Sequence, residues 1–153
     1  MFFLSKLKKS PALLDQTGIG IILLILSFLG FIDAAYLTIT HYQNIIPACT
    51  VLGGCELVVT SQFSTILGIP LALLGAIYFF VLFYLAIAIL SSHKKIYAKI
   101  FNRFSYLGLL ISLFLFLIQA LILKAFCQYC LLSEIIALFI YIFSIQLLRR
   151  HKE

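Results

Sequence analysis

The feature that most constrains this chain is a series of four apolar segments, each long enough to cross the roughly 30 Å core of a bilayer as a helix. They run over about 19–40, 66–90, 104–123 and 126–148, and the second and third contain no charged residue. A bilayer offers no water to backbone N–H and C=O groups, so a spanning segment is a helix or a strand of a closed barrel. Barrel strands alternate apolar and polar residues, and these segments do not. The sequence therefore predicts an all-α membrane protein, a four-transmembrane-helix bundle forming one domain over 1–153.

The composition excludes a soluble class. Hydrophobic residues make up 64% of the 153 residues and charged residues only 10%, more apolar surface than a soluble domain of this size can bury. The N-terminal "FFLSKLKKS" before an apolar run is similar to the start of a signal peptide. That run is too long, and no small-residue cleavage site follows it, so we expect a retained membrane anchor.

The basic residues predict the orientation of the bundle. Ten of the eleven lysines and arginines precede span one, lie between spans two and three, or follow span four: Lys6, Lys8, Lys9, Lys94, Lys95, Lys99, Arg103, Arg149, Arg150 and Lys152. The positive-inside rule assigns this face, with the N and C termini, to the cytoplasm. The asymmetry also accounts for the net charge of +6, so the charge does not indicate a nucleic-acid partner.

The four cysteines are expected on the opposite, outer face, where thiols are oxidised more readily. Cys49 and Cys55 lie in the predicted outer loop 41–65, and Cys127 and Cys130 open the fourth span. A Cys-x-x-Cys pair at a helix start benefits from exposed N–H groups that favour a thiolate, and Lys124 adds positive charge nearby. Because this pair is expected at the bilayer edge, a membrane quinone is a suitable two-electron acceptor for it.

The loop pair indicates a second role. Gly53 and Gly54 lie between Cys49 and Cys55, and glycines adopt backbone conformations that other residues resist. A loop that bends could accept electrons from a water-soluble protein and pass them by thiol–disulfide exchange to the pair in the membrane. The residues alone leave other interpretations open: structural disulfides in a non-catalytic protein, or a metal-handling protein with a four-cysteine site. An oxidising compartment argues against the metal site, and we expect none.

The motifs together resemble the vitamin K epoxide reductase family. "DAAYLT" (33–38) is similar to the end of that family's first span, and "CELVVTSQFSTILGIPLALLG" (55–75) to its stretch from the second loop cysteine through a serine to a Gly-Ile-Pro helix start. "FCQYC" (126–130) completes the pattern. The resemblance implies a four-helix bundle around a quinone, capped by a loop that contains a short helix. It also implies residence in a bacterial cytoplasmic (inner) membrane.

The resemblance further implies a role for each cysteine. Cys49 would form the mixed disulfide with a thioredoxin-fold partner, Cys55 would exchange with Cys127, and Cys130 would donate to the quinone. Many bacterial members carry a fused thioredoxin-like domain; the sequence stops at Glu153, so we expect a separate, DsbA-like partner. In the DsbB type of oxidase the Cys-x-x-Cys pair precedes the loop pair, and the order here is the reverse.

Two positions depart from the animal members of the family. The asparagine and tyrosine that contact vitamin K epoxide there correspond to Leu71 and Glu134 here. The sequence thus favours plain quinone reduction, with ubiquinone or menaquinone as acceptor, over epoxide reduction. The predicted activity is a membrane thiol–quinone oxidoreductase that supports disulfide bond formation.

Three further residues are candidates for an assisting or quinone-site role. Asp33 and Glu134 are carboxylates within predicted spans, where ionisable residues are functional suspects, and either could supply a proton to the quinone. Glu134 follows Cys130 by four residues and so shares its helix face. Ser61 corresponds to the family's functional serine. The alternative for the acids is hydrogen bonding within the bundle, and for the serine a helix cap.

Overall fold

The computed structural model describes residues 11–51 and 53–150. The predicted cytoplasmic residues Lys6, Lys8, Lys9 and Lys152 lie outside this part of the chain. In chain order the elements are α1 (Pro11–Tyr42), α2 (Cys55–Val59), a 3₁₀ turn (Gln62–Ser64), β1 (Thr65–Ile66), β2 (Ile69–Pro70), α3 (Leu71–Ser92), α4 (Lys95–Leu117), a π-helical continuation of α4 (Ile118–Leu123) and α5 (Gln128–Arg150).

Four of these helices are long and apolar enough to cross a membrane, and they confirm the predicted four-helix bundle. The spanning segments are Asp15–Tyr42, Leu71–Ser92, Lys95–Leu123 and Gln128–Arg150. Large apolar side chains cover their outward surfaces; Leu121, for example, is 70% exposed. Together with four helices of membrane-spanning length, such a surface fits a lipid environment. The chain is a multi-pass membrane protein.

The bundle packs in a defined order around an apolar core. α1 lies against α3 and α5, and α4 packs mainly on α5 and less closely on α3. Each long helix contributes at least one core residue that is completely inaccessible, among them Leu23, Leu82, Phe101 and Ile140. The looser contact between α3 and α4 leaves space inside the bundle, and this space becomes part of the candidate site.

The two ends of the bundle differ in chemistry. Arg150 forms an ion pair with Asp15, and its carbonyl accepts a hydrogen bond from Gln16 Nε2 at 3.3 Å, so α1 begins where α5 ends. Leu90, near the end of α3, packs against Gly20 of α1 at the same level. This end carries the basic residues and is called the basic end. The cysteines lie at the opposite end, called the cysteine end.

Three helix starts differ from the predicted spans, and the first is that of α1, which begins at Pro11 rather than at about 19. α3 begins at Leu71 rather than at 66, because Thr65–Ile66 and Ile69–Pro70 pair as a short antiparallel hairpin. Leu67 and Gly68 form its turn with φ of 52° and 81°, the left-handed pair that a two-residue hairpin turn requires. Pro70 therefore directly precedes the helix, at its N-cap position.

The third helix begins earlier than the apolar pattern indicates. α4 starts at Lys95, so Lys95, Lys99 and Arg103 lie on the helix and not in a connecting loop. Long basic side chains at a helix end extend their charged groups to the membrane interface. A search for apolar segments therefore leaves out residues 95–103, although they are helical. Only His93 and Lys94 connect α3 to α4.

Candidate functional site

The four cysteines meet at the cysteine end of the bundle. Cys49 and Cys55 are joined in a disulfide with a Cα–Cα distance of 6.1 Å, and Cys127 and Cys130 are free thiols. Cys55 and Cys127 are buried in one apolar cluster, against which Cys49 and Cys130 pack. Two pairs that are 72 residues apart along the chain therefore share a single site.

Gly54 explains how closely the loop approaches the Cys-x-x-Cys pair. A Cβ added to Gly54 would lie 2.7 Å from both the backbone N and the backbone O of Phe126. The residue before Cys55 thus packs directly on the residue before Cys127. The φ of Gly54 is −96°, which any residue adopts. The sequence predicted that Gly54 makes the loop flexible. In the structure, its missing side chain lets the loop backbone pack against the backbone of Phe126.

The two residues between Cys127 and Cys130 hold the loop in place. Gln128 Oε1 accepts a hydrogen bond from the backbone N–H of Val51 at 3.1 Å, and its Nε2 donates to the carbonyl of Ala48 at 3.4 Å. The Tyr129 hydroxyl donates to the same carbonyl at 3.2 Å. Cys49 lies between the two loop residues so held. No role for Gln128 or Tyr129 was predicted from the sequence, where their position inside the motif was the only available signal.

Cys127 occupies the N-cap position immediately before α5. Its carbonyl accepts the first hydrogen bond of the helix, from Leu131 N–H at 3.0 Å. A hydrogen bond from the Cys130 thiol is the main cause that lowers the pKa of Cys127 to about 7, and the backbone N–H groups of Cys130 and Tyr129 act in the same direction against burial. Cys127 is therefore the thiol of this pair that is prepared to act as a thiolate. Lys124 is exposed and ends the preceding π-helix with φ 49°.

Gln119 links the cysteine pair to Glu134. It lies in the π-helical segment, is 3% exposed, and accepts a hydrogen bond from the Cys127 backbone N–H through Oε1 at 3.1 Å. Its Nε2 donates to Glu134 Oε1 at 2.8 Å. Its own carbonyl accepts from Ala125 N–H at 3.2 Å. Sequence reasoning missed this residue, although a single amide within a charge-free apolar segment was a usable signal.

The second carboxylate lies elsewhere in the bundle. Asp33 is buried on α1, and its Oδ2 accepts a hydrogen bond from Ser133 Oγ of α5 at 2.5 Å. Ser133 is the neighbour of Glu134 in the chain, so the two carboxylates approach the same turn of α5. Glu134 reaches the site directly, and Asp33 reaches it through Ser133.

A cavity of about 500 Å³ adjoins the cysteine pair, within the range of small-molecule sites. It lies between α3 and α4, bordered by α1 and α5 and covered by the outer loop with its short helix α2. Most of its lining is apolar. The polar or reactive groups on it include Cys130, Gln119, Glu134, Ser133 and Ser61.

Ser61 is placed at the cavity by the turn that follows α2. Its Oγ donates to the carbonyl of Val58 at 2.7 Å, a local bond that fixes the turn. The hydroxyl oxygen keeps acceptor capacity toward the cavity. The structure thus brings Ser61, Glu134 and Cys130 to one cavity.

The described residues offer no alternative metal centre. Within residues 11–51 and 53–150, no group of three or more histidine, cysteine, aspartate or glutamate side chains is arranged to hold a metal ion. Two of the four sulfurs are bonded to each other, so they are not thiolate ligands in this state.

The chain matches a known protein family. A family model described as "Vitamin K epoxide reductase family" matches residues 21–145. The matched range contains all four cysteines and also Asp33, Ser61 and Glu134.

Proposed function

The chain belongs to the vitamin K epoxide reductase family, and from this membership we propose that it reoxidises a thioredoxin-fold, DsbA-like protein and passes the electrons to a membrane quinone. The family acts on thiols with quinones in disulfide formation. The proposal adds the order of the steps, the residue that performs each of them, and the location: a bacterial inner membrane with the cysteines on its outer side.

One observation carries the proposal. A loop disulfide and a Cys-x-x-Cys dithiol lie in one cluster, and Cys130 of the dithiol also lines an apolar cavity. One end of this arrangement is in a loop, where Cys49 is half-buried. The other end is inside the bundle, beside the cavity. Such a site gives a protein substrate access at the loop and a lipid-soluble substrate access at the cavity. Electrons pass between the two through the cysteine sulfurs.

The first half of the cycle takes place in the loop. A thiolate of the partner attacks Cys49, forming a mixed disulfide and releasing Cys55; the second partner thiol then attacks the partner's sulfur and releases Cys49. The partner leaves oxidised. Cys49 and Cys55 hold the two electrons and, as thiols, the two protons.

The second half transfers these electrons to the pair beside the cavity. Cys55 attacks Cys127 of an oxidised Cys127–Cys130 disulfide, and Cys130 is released as the leaving group. Cys49 then attacks Cys55, which restores the loop disulfide and frees Cys127. The described state, a disulfide in the loop and two free thiols at Cys127 and Cys130, corresponds to the end of this exchange.

The final step restores the Cys127–Cys130 disulfide. A quinone bound in the cavity accepts two electrons and two protons, and the two thiols lose the same number, so the step balances. Cys130 lines the cavity and is the donor; Cys127 completes the disulfide. Glu134 lines the same cavity and carries a proton to a ring oxygen. Asp33 accepts a hydrogen bond from Ser133, which lines the cavity, and so positions the Ser133 side chain. Ser61 contributes a hydrogen-bond acceptor on the loop side of the cavity.

The cavity fits a quinone of either class. Its size and apolar lining suit a flat conjugated ring with an isoprenoid tail, and its few polar groups suit ring oxygens. Ubiquinone and menaquinone share these features, so both are used in the test.

An anaerobic assay tests the proposal. Purified protein, a reduced DsbA-like protein, and either menadione or a short-chain ubiquinone are mixed, and quinone absorbance is followed. We expect turnover in the parent, none with Cys130→Ala, and none with Cys49→Ala. Cys49→Ala should still reduce quinone when a small dithiol replaces the partner, because the small dithiol reaches the inner pair directly. Ser92→Ala, at the basic end, is the matched control.

The same assay separates the alternative of structural disulfides. A purely structural loop disulfide would resist the reduced partner, and its removal would leave any quinone reduction intact. If the parent reduces neither quinone class, the oxidoreductase proposal is wrong and metal content is the next measurement.

A further inference from the structure

We propose that the Tyr78 hydroxyl, together with the second carboxyl oxygen of Glu134, forms the pair of polar contacts that holds the two ring oxygens of the quinone. The inference rests on the proposed function and deepens it, because it assigns the residue that binds the ring oxygen remote from the thiols.

The observation is a pair of polar atoms without partners. Among the described residues, two buried side-chain polar atoms make no hydrogen bond, Tyr78 Oη and Glu134 Oε2. Both residues line the cavity of about 500 Å³. Leaving such an atom unsatisfied costs about 1–3 kcal/mol, so two of them beside one cavity favour a ligand that satisfies both.

The second oxygen of Glu134 is free because its first oxygen is occupied. Glu134 Oε1 accepts the hydrogen bond from Gln119, which fixes the carboxyl group against α4 and leaves Oε2 without a partner. Glu134 follows Cys130 by one helical turn on α5. A ring oxygen bound to Oε2 therefore lies on the side of the cavity where the donor thiol is.

Tyr78 contributes from α3, the helix that borders the cavity opposite α5. A Cβ added to Gly108 of α4 would overlap the oxygen end of the Tyr78 ring, so the ring passes over a glycine that gives it room. Phe79 packs against the Tyr78 ring edge-on, with centroids 5.2 Å apart. The hydroxyl has almost no accessible surface, so a ring oxygen reaches it through a small shift of the Tyr78 ring.

The chemistry of the two groups matches a quinone and its product. A ketone oxygen only accepts hydrogen bonds, so the Tyr78 hydroxyl and a protonated Glu134 carboxyl both donate to the oxidised ring. After reduction the ring carries two O–H groups, and the same two oxygens accept from them. Tyr78 thus acts as a binding residue, while Glu134 also transfers a proton.

The test compares three single variants. Tyr78→Phe removes only the hydroxyl; we expect its KM for menadione and for a short-chain ubiquinone to rise about five- to tenfold, the worth of one neutral hydrogen bond, with kcat within about twofold. Glu134→Gln keeps a donor but cannot transfer a proton, so we expect the main loss in kcat. Tyr84→Phe, on the same helix but 68% exposed, is the matched control.

A fourth variant, Gly108→Ala, tests whether the effect comes from the hydroxyl. Gly108→Ala pushes the Tyr78 ring from its place and should raise KM by a similar factor. In a Tyr78→Phe background, Gly108→Ala should add less than about twofold, because the two changes remove the same contact. The rate of exchange between the loop and the inner pair should stay unchanged in both variants.

The outcomes separate the two proposals. If the parent reduces no quinone, the proposed function fails. If the parent is active and Tyr78→Phe has the same KM as Tyr84→Phe, or if the effects of Tyr78→Phe and Gly108→Ala simply multiply, the function stands and this inference is wrong.

Discussion

Gly54 shows how one missing side chain sets the distance between two redox pairs. The loop disulfide and the inner dithiol share a cluster in which the loop backbone at Gly54 lies directly on Phe126. Thiol–disulfide exchange requires sulfur to reach sulfur. A larger residue at position 54 would therefore move the two pairs apart and slow the exchange step. The reactivity of each cysteine pair by itself should not change.

We predict that Gly54→Ala slows exchange between the pairs. Its Cβ would overlap backbone atoms, which cannot give way as a side chain does, and overpacking of this kind costs about 1–3 kcal/mol. If that cost falls on the exchange geometry, the rate drops about ten- to a hundredfold. The measurement is a single-turnover reaction between reduced loop and oxidised inner pair, quenched with acid and resolved by alkylation.

Gly53→Ala is the matched control, because nothing lies within 4 Å of an added Cβ there. Its exchange rate should equal that of the parent. Equal slowing in both variants would mean that glycine flexibility, and not the contact with Phe126, governs the loop.

A second residue-scale prediction concerns the pH dependence of Cys127. Since the pKa of this thiol is lowered to about 7, chiefly by the hydrogen bond from Cys130, it is protonated below that pH and a thiolate above it. The thiolate ultraviolet absorbance of the reduced protein should therefore rise through about pH 7, and the step should be missing in Cys127→Ser. In Cys130→Ala the step should move upward, because the main donor is lost. A parent step near the ordinary thiol value of 9.0 would contradict the assignment.

At the scale of elements, the end of α4 departs most from a regular helix. Residues Ile118–Leu123 form a π-helix, an irregularity that recurs at functional sites. Gln119, in its first turn, is directed into the bundle, where it bonds both to the N-cap of α5 and to Glu134. The Gln119 amide thus joins α4 to α5 and connects the Cys127 backbone to the Glu134 carboxyl group.

We predict that Gln119→Leu impairs the site without unfolding the bundle. The change leaves the Cys127 N–H and Glu134 Oε1 unsatisfied, at about 1–3 kcal/mol for each buried group. Quinone reduction should fall at least about tenfold, and resistance to denaturing detergent should decrease modestly. Gln146→Leu, exposed on α5, is the same substitution away from the site and should change neither. Parental turnover in Gln119→Leu would show that the amide only fills space.

The start of α3 shows why element boundaries were harder to predict than element types. Residues 66–70 are apolar enough to extend the span, and an apolar run alone does not distinguish a hairpin from a helix. The left-handed conformations at Leu67 and Gly68 create the turn, and the leucine gave no local signal for it. α4 shows the opposite error, because Lys95, Lys99 and Arg103 are helical although charged.

At the scale of the molecule, the four-helix bundle was predictable because lipid leaves few alternatives to a helix. The family was predictable from the two cysteine spacings and their order along the chain, and both predictions are confirmed. The contacts of Gln119, Gln128 and Tyr78 were not predictable, since each depends on which helices pack side by side. The roles assigned to the cysteines, Ser61, Glu134 and Asp33 stay predictions.

The orientation of the whole bundle is the last prediction. Residues at the cysteine end should label from outside the cell and residues at the basic end only from the cytoplasmic side, because lysines and arginines are retained inside. Thr60→Cys and Ser92→Cys suit the test, as both positions are exposed and lie at opposite ends. A membrane-impermeant maleimide applied to intact spheroplasts should label Thr60→Cys above the parent's background and leave Ser92→Cys at background. Inverted vesicles should give the reverse. The opposite pattern would place the thiols in a reducing compartment, where a loop disulfide could not be maintained, and the proposed direction of electron flow would fail with it.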